Sequence, residues 1–265
     1  MNEGGVAPAI VITGASSGLG REFARLVAEE GAPLLLLGRS ENALRELAQE
    51  LSARRPGIQL HQLSIDLEND GAVEQVETLL VAHGLYCDVL VNSAGFGVFG
   101  PAAEADSNLQ LQLIDVNVKA LVALTLRFLP GMISRGRGGV INISSIVGYA
   151  PGPYMSAYCA SKAFVRSFSA ALSAEVAGTG ATVTCLTPGV LRTAFFDRKA
   201  MGRSRIMKIL PRSDAPHAAR VGWQAFKRGK SYAVPRLIDR FTIGVCWLVP
   251  DRLLARAVLA LQRSP

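Results

Sequence analysis

Short runs of β-branched and leucine residues alternate along this chain with longer stretches whose apolar positions recur every three to four residues, and no repeat or low-complexity segment interrupts the alternation. Ala9-Ile10-Val11-Ile12-Thr13 reads as a buried strand, Leu19 to Glu30 as a helix closed by Gly31, and Pro33 to Leu37 as a second strand. Asn42 to Arg54 reads as helix, Ile58 to Ile65 as strand, Ala72 to His83 as helix with Gly84 beyond it, and Val89-Leu90-Val91 as strand. A long helical stretch from about Ser107 to Ser134 precedes strand Val140 to Ile143, helix Ser156 to Ala177 and strand Thr182 to Leu186. Farther on, Ala218 to Arg228 reads as a helix and Tyr232-Ala233-Val234-Pro235 as an edge strand. Leu237 to Leu261 reads as helical pieces broken at Pro250, with Asp251 capping the last.

Strands this apolar on both faces belong in a parallel sheet covered by helices on each side. With right-handed crossovers, the expected class is α/β: a doubly wound, mostly parallel sheet of about seven strands with helices on both faces. A basic helical C-terminal extension covers about residues 236–265. No linker rich in Pro, Gly or Ser divides the chain, so residues 1–265 are expected to form one domain.

Composition removes several function classes. The 265 residues suffice to bury a core, and 49% hydrophobic with 18% charged residues excludes a disordered or collagen-like chain. Cys87, Cys159, Cys185 and Cys246 form no CxxC pair, and His61, His83 and His217 supply no metal-ligand spacing. Neither a disulfide scaffold nor a metal site is expected. Met1 to Pro8 lacks the basic start and apolar run of a secretory signal, and no stretch is expected to offer the ~20 apolar residues that span a bilayer. A reducing, cytoplasmic setting is the default expectation. The formal charge of +7 is uneven: residues 1–191 carry 12 basic and 17 acidic side chains, residues 192–265 carry 16 and 4. A basic end raises nucleic acid, anionic membrane and acidic small molecules as partners, beside the plain reading of a solvated arginine-rich surface; the motifs below point to a small-molecule substrate and no nucleic acid.

The first strand-to-helix turn reads Thr13-Gly14-Ala15-Ser16-Ser17-Gly18-Leu19-Gly20. Glycines there let the backbone approach a pyrophosphate, whose charge meets free N–H groups and the positive end of the helix. The spacing Gly14, Gly18, Gly20 departs from the GxGxxG fingerprint, and a ligand-free glycine turn stays open at this point. Tyr158 and Lys162, four residues apart, share one face of a helix. Upstream, Ile141-Asn142-Ile143-Ser144-Ser145 ends a strand, where open α/β sheets place reacting groups. Asn117, within Asp115-Val116-Asn117-Val118, is a polar island in the long helix. Taken singly, Ser145 reads equally as a strand-end cap and Asn117 as a buried hydrogen-bonding residue.

Taken together, Thr13-Gly14-x-x-x-Gly18-x-Gly20, Asn92-Ser93-Ala94-Gly95, Asn117, Ser145, Tyr158-x-x-x-Lys162 and Pro188-Gly189 resemble the short-chain dehydrogenase/reductase family in its single-domain, Rossmann-type branch. The match runs from about Ile10 to Thr193. Ser93 departs from the family, which usually carries a second asparagine there. Ser145 is chosen over Ser144 because it stands thirteen positions before Tyr158, as in the family, leaving Ser144 to support the strand end. The resemblance implies an oxidoreductase moving a hydride between NADP(H) and a ketone or secondary alcohol, with four catalytic residues. Tyr158 is the general acid/base, Lys162 lowers its pKa and holds the nicotinamide ribose, Ser145 polarises the substrate oxygen, and Asn117 anchors a proton-relay water. Free tyrosine ionises near ~10, so working near neutrality asks for ~3 units, about 4 kcal/mol of phenolate stabilisation.

The same resemblance assigns cofactor contacts to Gly14, Ser16, Ser17, Gly18, Leu19, Gly20, Asn92, Ala94, Gly95, Tyr158, Lys162, Pro188 and Gly189, with Asp66 at the adenine and Thr193 at the nicotinamide amide. After the second strand stand Leu37-Gly38-Arg39-Ser40, with no acid to bind an NAD ribose. Arg39 with its planar fork, aided by Ser40, favours the 2′-phosphate of NADP, with NAD possible as the lesser alternative. Residues 194–213 correspond to the family's lid over the substrate, and their mixture of apolar and basic residues suits an apolar carbonyl compound with an anionic handle or docking on an anionic surface, beside the plain reading of an arginine-decorated lid facing water. A homodimer or homotetramer is implied. The alternatives are a membrane-associated reductase of lipid-like carbonyls and a non-catalytic NADP-binding module. For the apolar segment Phe241 to Val249, burial between subunits is preferred over insertion in lipid.

Overall fold

The computed structural model describes residues 6–191 and 212–263. Strands β1 (Ala7–Thr13), β2 (Leu34–Gly38), β3 (Leu60–Ser64), β4 (Leu85–Asn92), β5 (Gly139–Ile143), β6 (Thr182–Leu186) and β7 (Tyr232–Ala233) form one sheet. Its order is β3-β2-β1-β4-β5-β6-β7, and every adjacent pair is parallel. Strand order reverses between β1 and β4, which pair Val11 with Leu90 and Ile12 with Val91. A reversal of this kind opens a crevice at the C-terminal strand ends, because the crossovers leave in opposite directions.

Alternation along each strand decides what covers it. Ile10 and Ile12 point to one face, where with Phe23, Leu34, Leu36, Trp223 and Phe226 they pack under α1 (Gly18–Ala28), α2 (Glu41–Arg54) and α7 (Ala215–Lys227). Ala9 and Val11 point to the other, with Leu35, Leu37, Val76, Leu90, Leu124 and Val183 under α3 (Ala72–Ala82), α5 (Leu121–Arg135) and α6 (Ser156–Glu175). Each large apolar side chain so buried contributes about 1.5–3 kcal/mol. Beyond β7, α8 (Leu237–Leu248) and α9 (Asp251–Arg263) flank Pro250, whose missing N–H and fixed φ separate them. The tail therefore breaks where the sequence indicated.

Two expectations change. The long helix is three consecutive pieces: α4 (Ser107–Ile114), a π-helical turn over Asp115–Ala120, and α5. The combined run Ser107–Arg135 is also long and apolar enough, by length and composition alone, to cross a membrane, contrary to the sequence reading. It lies alongside the sheet, with Leu113, Leu121, Leu124, Leu129 and Met132 buried. A helix covering an apolar sheet face needs the same composition as a spanning one.

Candidate active site

At the β1/β4 reversal lies a cleft of about 470 Å³. Its floor begins at the glycine-rich turn. Gly14 has φ +67°, and a Cβ there would stand 2.9 Å from Ala94 Cα, so only glycine lets the turns after β1 and β4 approach. Thr13 Oγ1 accepts hydrogen bonds from the N–H groups of Ser93 (3.0 Å) and Ala94 (2.9 Å), locking the two turns together. The bond engages the main chain of Ser93, so its departure from the family pattern leaves this link intact. Ser17 precedes α1 in extended conformation with no side-chain cap bond, and the first turn carries no acid. The positive end of α1 therefore faces the cleft beside Ser16, Ser17, Gly18 and Leu19. These residues fit a pyrophosphate.

The far end of the cleft is lined by Gly38, Arg39, Ser40, Asp66 and Leu67. Arg39 is exposed. Ser40 also caps α2, its Oγ accepting from the Ala43 N–H at 3.3 Å. Asp66 Oδ1 accepts from the Glu68 N–H at 3.2 Å. Burial, with Asp66 and Asp115 nearby, raises the Glu68 carboxyl above its usual range, while Arg39 opposes the shift.

The opposite wall holds Ser145, Tyr158 and Lys162 together. Ser145 follows β5 and caps the 3-10 turn Ile146–Tyr149, its Oγ accepting from the Val147 N–H at 3.4 Å. Tyr158 and Lys162 sit one turn apart on α6, both buried. Lys162 Nζ donates to the Ile143 carbonyl at 2.9 Å and lies 5.9 Å from the Tyr158 ring centre. Ser144 Oγ donates to the Lys162 carbonyl at 2.8 Å, so it ties the end of β5 to α6 as expected. Burial pushes the Lys162 ammonium down to about 8. Burial, and secondarily Cys159, pushes the Tyr158 hydroxyl well above its ordinary value, while a hydrogen bond with Ser145 pulls the other way.

Three residues expected in the site stand behind its wall instead. Asn117 is 1% exposed: its amide receives the Phe96 N–H on Oδ1 (3.0 Å) and donates to the Phe96 carbonyl (3.0 Å) and Ser161 Oγ (3.2 Å). The π-turn carries Asn117, whose amide binds both main-chain groups of Phe96; a Cβ on Gly95 would lie 2.8 Å from its oxygen. It is thus a positioning residue for the β4 loop. Asn92 Nδ2 donates to Asn142 Oδ1 (2.9 Å) and Thr125 Oγ1 (2.9 Å), because its side chain leaves β4 on the face covered by α5. Gly20 lies under the turn, where a Cβ would stand 2.5 Å from the Gly14 carbonyl oxygen.

Ala94, Gly95, Pro188 and Gly189 do line the cleft, whereas Thr193 and residues 194–211 of the expected lid lie outside the described residues. The ends of that segment meet at the cleft: Leu191 bridges Ser213, whose N–H donates to the Val190 carbonyl at 2.6 Å. Apolar lining from Ile65, Leu67, Phe96, Val116, Val147 and Val190 was not foreseen, since such residues read as core in a sequence. Also unforeseen is a bidentate ion pair behind Gly189. Arg236 Nε and Nη2 donate to Asp239 Oδ2 (2.9 Å) and Oδ1 (2.6 Å), and Asp239 is 2% exposed. Only the Arg-x-x-Asp spacing at a helix start could have signalled it. Among the described residues no three His, Cys, Asp or Glu side chains group as metal ligands.

This geometry agrees with what the chain resembles. The family model for short chain dehydrogenases matches residues 8–203. A curated relative, dehydrogenase/reductase SDR family member 7B of Bos taurus, is 41% identical over 188 residues, 69% of this chain; the chain spans 58% of that relative's length. Among solved structures, a short-chain dehydrogenase from Sphingobium yanoikuyae in complex with NADPH superposes with TM-score 0.78 at 28% identity, covering 92% of this chain and 97% of that one. A short chain dehydrogenase/reductase from Burkholderia phymatum in complex with NAD gives TM-score 0.80 at 25% identity, covering 100% and 98%. The chain belongs to the short-chain dehydrogenase/reductase family.

Proposed function

We propose that the protein is an NADP(H)-dependent reductase of apolar ketones, or dehydrogenase of the matching secondary alcohols, with Tyr158 as general acid/base. The observation that carries this reading is the convergence of Ser145, Tyr158 and Lys162 on a cleft whose other end has Arg39 and no acid immediately after β2. Gly14, Ser16, Ser17, Gly18 and Leu19 would hold the pyrophosphate, Arg39 and Ser40 the 2′-phosphate, Asp66 the adenine side, and Ala94, Gly95, Pro188 and Gly189 the nicotinamide end. When bound, the cofactor supplies the hydride and, once oxidised, a positive ring.

Reduction adds hydride to the carbonyl carbon while the oxygen takes the Tyr158 proton, leaving a phenolate. Ser145 Oγ donates to the same substrate oxygen and favours its developing negative charge. Burial keeps Tyr158 protonated, so releasing its proton near neutrality requires positive charge beside the phenolate. Lys162, its ammonium brought down to about 8 by burial, would supply part of it and would also hold the nicotinamide ribose. Asn117 acts through Phe96 and Gly95, fixing the wall against which the nicotinamide end would pack.

Free thiols at Cys87, Cys159 and Cys185, all buried, suit a reducing, cytoplasmic setting. Exposed Leu126 and Ile133 on α5 and Phe164 on α6 support pairing into a homo-oligomer through those helices. The test of the reaction is a panel of ketones and aldehydes followed by NADPH absorbance. Consumption with apolar ketones supports the assignment, whereas NADPH binding without turnover across the panel contradicts it.

A further inference from the structure

Among the described residues nothing covers the outer face of α8, and that face is apolar. Leu237, Ile238, Phe241, Val245 and Leu248 recur at spacings that place all five within about a third of the helix circumference. Leu248 is 86% exposed, Leu237 79% and Phe241 70%. The inner face is committed elsewhere: Asp239 is buried against Arg236 behind Gly189. Past Pro250, α9 exposes Leu253 and Leu261 with Arg252 and Arg256 beside them.

Charge on this surface has essentially one sign. Arg240, Arg252 and Arg256 are exposed, and Asp251 is the exposed acid of the two helices. A twofold contact between copies sets the same patch against itself, which brings arginines toward arginines with only Asp251 to offset them. Anionic headgroups complement the same pattern, and the basic excess of residues 192–265 adds to the attraction. Helices of 12 and 13 residues are too short to span a bilayer, and a one-sided apolar stripe suits one lying in the interface plane.

We propose that α8 and α9 dock the protein on an anionic lipid surface, the apolar face of α8 entering the headgroup–acyl boundary and Arg240, Arg252 and Arg256 pairing with lipid phosphates. This goes beyond the reductase reading and does not depend on it. A built-in reporter exists: of the two tryptophans, Trp223 is buried, whereas Trp247 stands on α8 itself, 71% exposed beside Arg166. A change of emission on docking therefore reads α8.

The experiment uses the full chain with vesicles of phosphatidylcholine, alone or mixed with phosphatidylglycerol, followed by cosedimentation and tryptophan emission. Expected are binding to the anionic vesicles, a blue shift, and reversal by high salt. Phe241→Ser with Leu248→Ser should weaken partition by about tenfold or more. Arg252→Gln with Arg256→Gln should weaken it about fivefold per arginine. NADPH affinity should stay unchanged in both variants. Failure to sediment with any vesicle overturns the proposal, as does equal binding to neutral vesicles that neither variant alters. A blue shift that grows with protein concentration without lipid, and disappears in Phe241→Ser with Leu248→Ser, also overturns it and assigns the face to a second copy.

Discussion

The ammonium of Lys162 donates to the carbonyl of Ile143 at 2.9 Å, so the last residue of β5 fixes a buried cation one helical turn from Tyr158. Lys162→Ala removes that cation, its anchor and the proposed ribose contact together. NADPH affinity and turnover are expected to fall jointly, with turnover down ~10²-fold or more. Unchanged affinity by cofactor fluorescence would remove Lys162 from the proposed cofactor site.

The depressed Lys162 pKa gives a pH dependence with a definite sign. Because burial lowers it to about 8, the site loses its positive charge as pH rises through that value. NADPH affinity is expected to fall above about pH 8 in the parent and to show no such fall in Lys162→Ala. For folding the direction reverses: between about 8 and its ordinary ~10.4 the folded chain holds fewer protons on Lys162 than the unfolded one, so this group adds stability as pH rises. Titration of affinity against pH for both proteins checks the first statement, and a flat parent profile contradicts it.

Arg39 is expected to set cofactor choice. A charge-assisted, partly bidentate arginine–phosphate contact is worth about 1.5–3 kcal/mol, a tenfold to hundredfold preference for NADPH over NADH. Arg39→Asp should narrow or reverse that preference. Equal dissociation constants in the parent would count against the assignment.

Behind Gly189, the Arg236–Asp239 pair leaves no room for a side chain: a Cβ at 189 would stand 2.6 Å from both Arg236 Nη2 and Asp239 Oδ1. Gly189→Ala and Asp239→Ala should each cost about 1–3 kcal/mol and raise the KM for NADPH. Removing the carboxylate makes space for the methyl group, so the double variant should cost less than the two together. Denaturant midpoints decide it, and simple additivity would refute the coupling.

Much of this was legible in the sequence because the physical signals were local. Two-faced apolar strands such as Ala9 to Thr13 require a parallel sheet, and the Gly14 turn, Ser145 and the Tyr158–Lys162 pair keep their spacing in the fold. What stayed hidden depended on which way a side chain leaves its element. Asn92 turns toward Thr125 rather than the cleft, and Asn117 rides on a π-turn that no periodicity marks. Asp239 meets Gly189 across 50 residues of chain, a contact fixed by the packing of α8. The apolar cleft lining was equally silent, since Phe96 and Val190 differ from core residues only in standing beside the C-terminal ends of strands.

Absence of metal-ligand spacing in the sequence leads to another expectation: chelator treatment should leave turnover unchanged. Loss of activity restored by added zinc or magnesium would contradict it.

The proton donor is tested by Tyr158→Phe, which removes one hydroxyl and keeps a ring that packs with Val98, Leu113, Met155 and Val190. NADPH affinity by fluorescence and turnover on any accepted ketone are measured side by side, with Ser145→Ala as a companion that also spares cofactor binding. The expected result is parental NADPH affinity with turnover lowered by ~10²–10⁴-fold, the loss of a general acid. Near-parental turnover in Tyr158→Phe would contradict the mechanism, whatever cofactor the cleft holds.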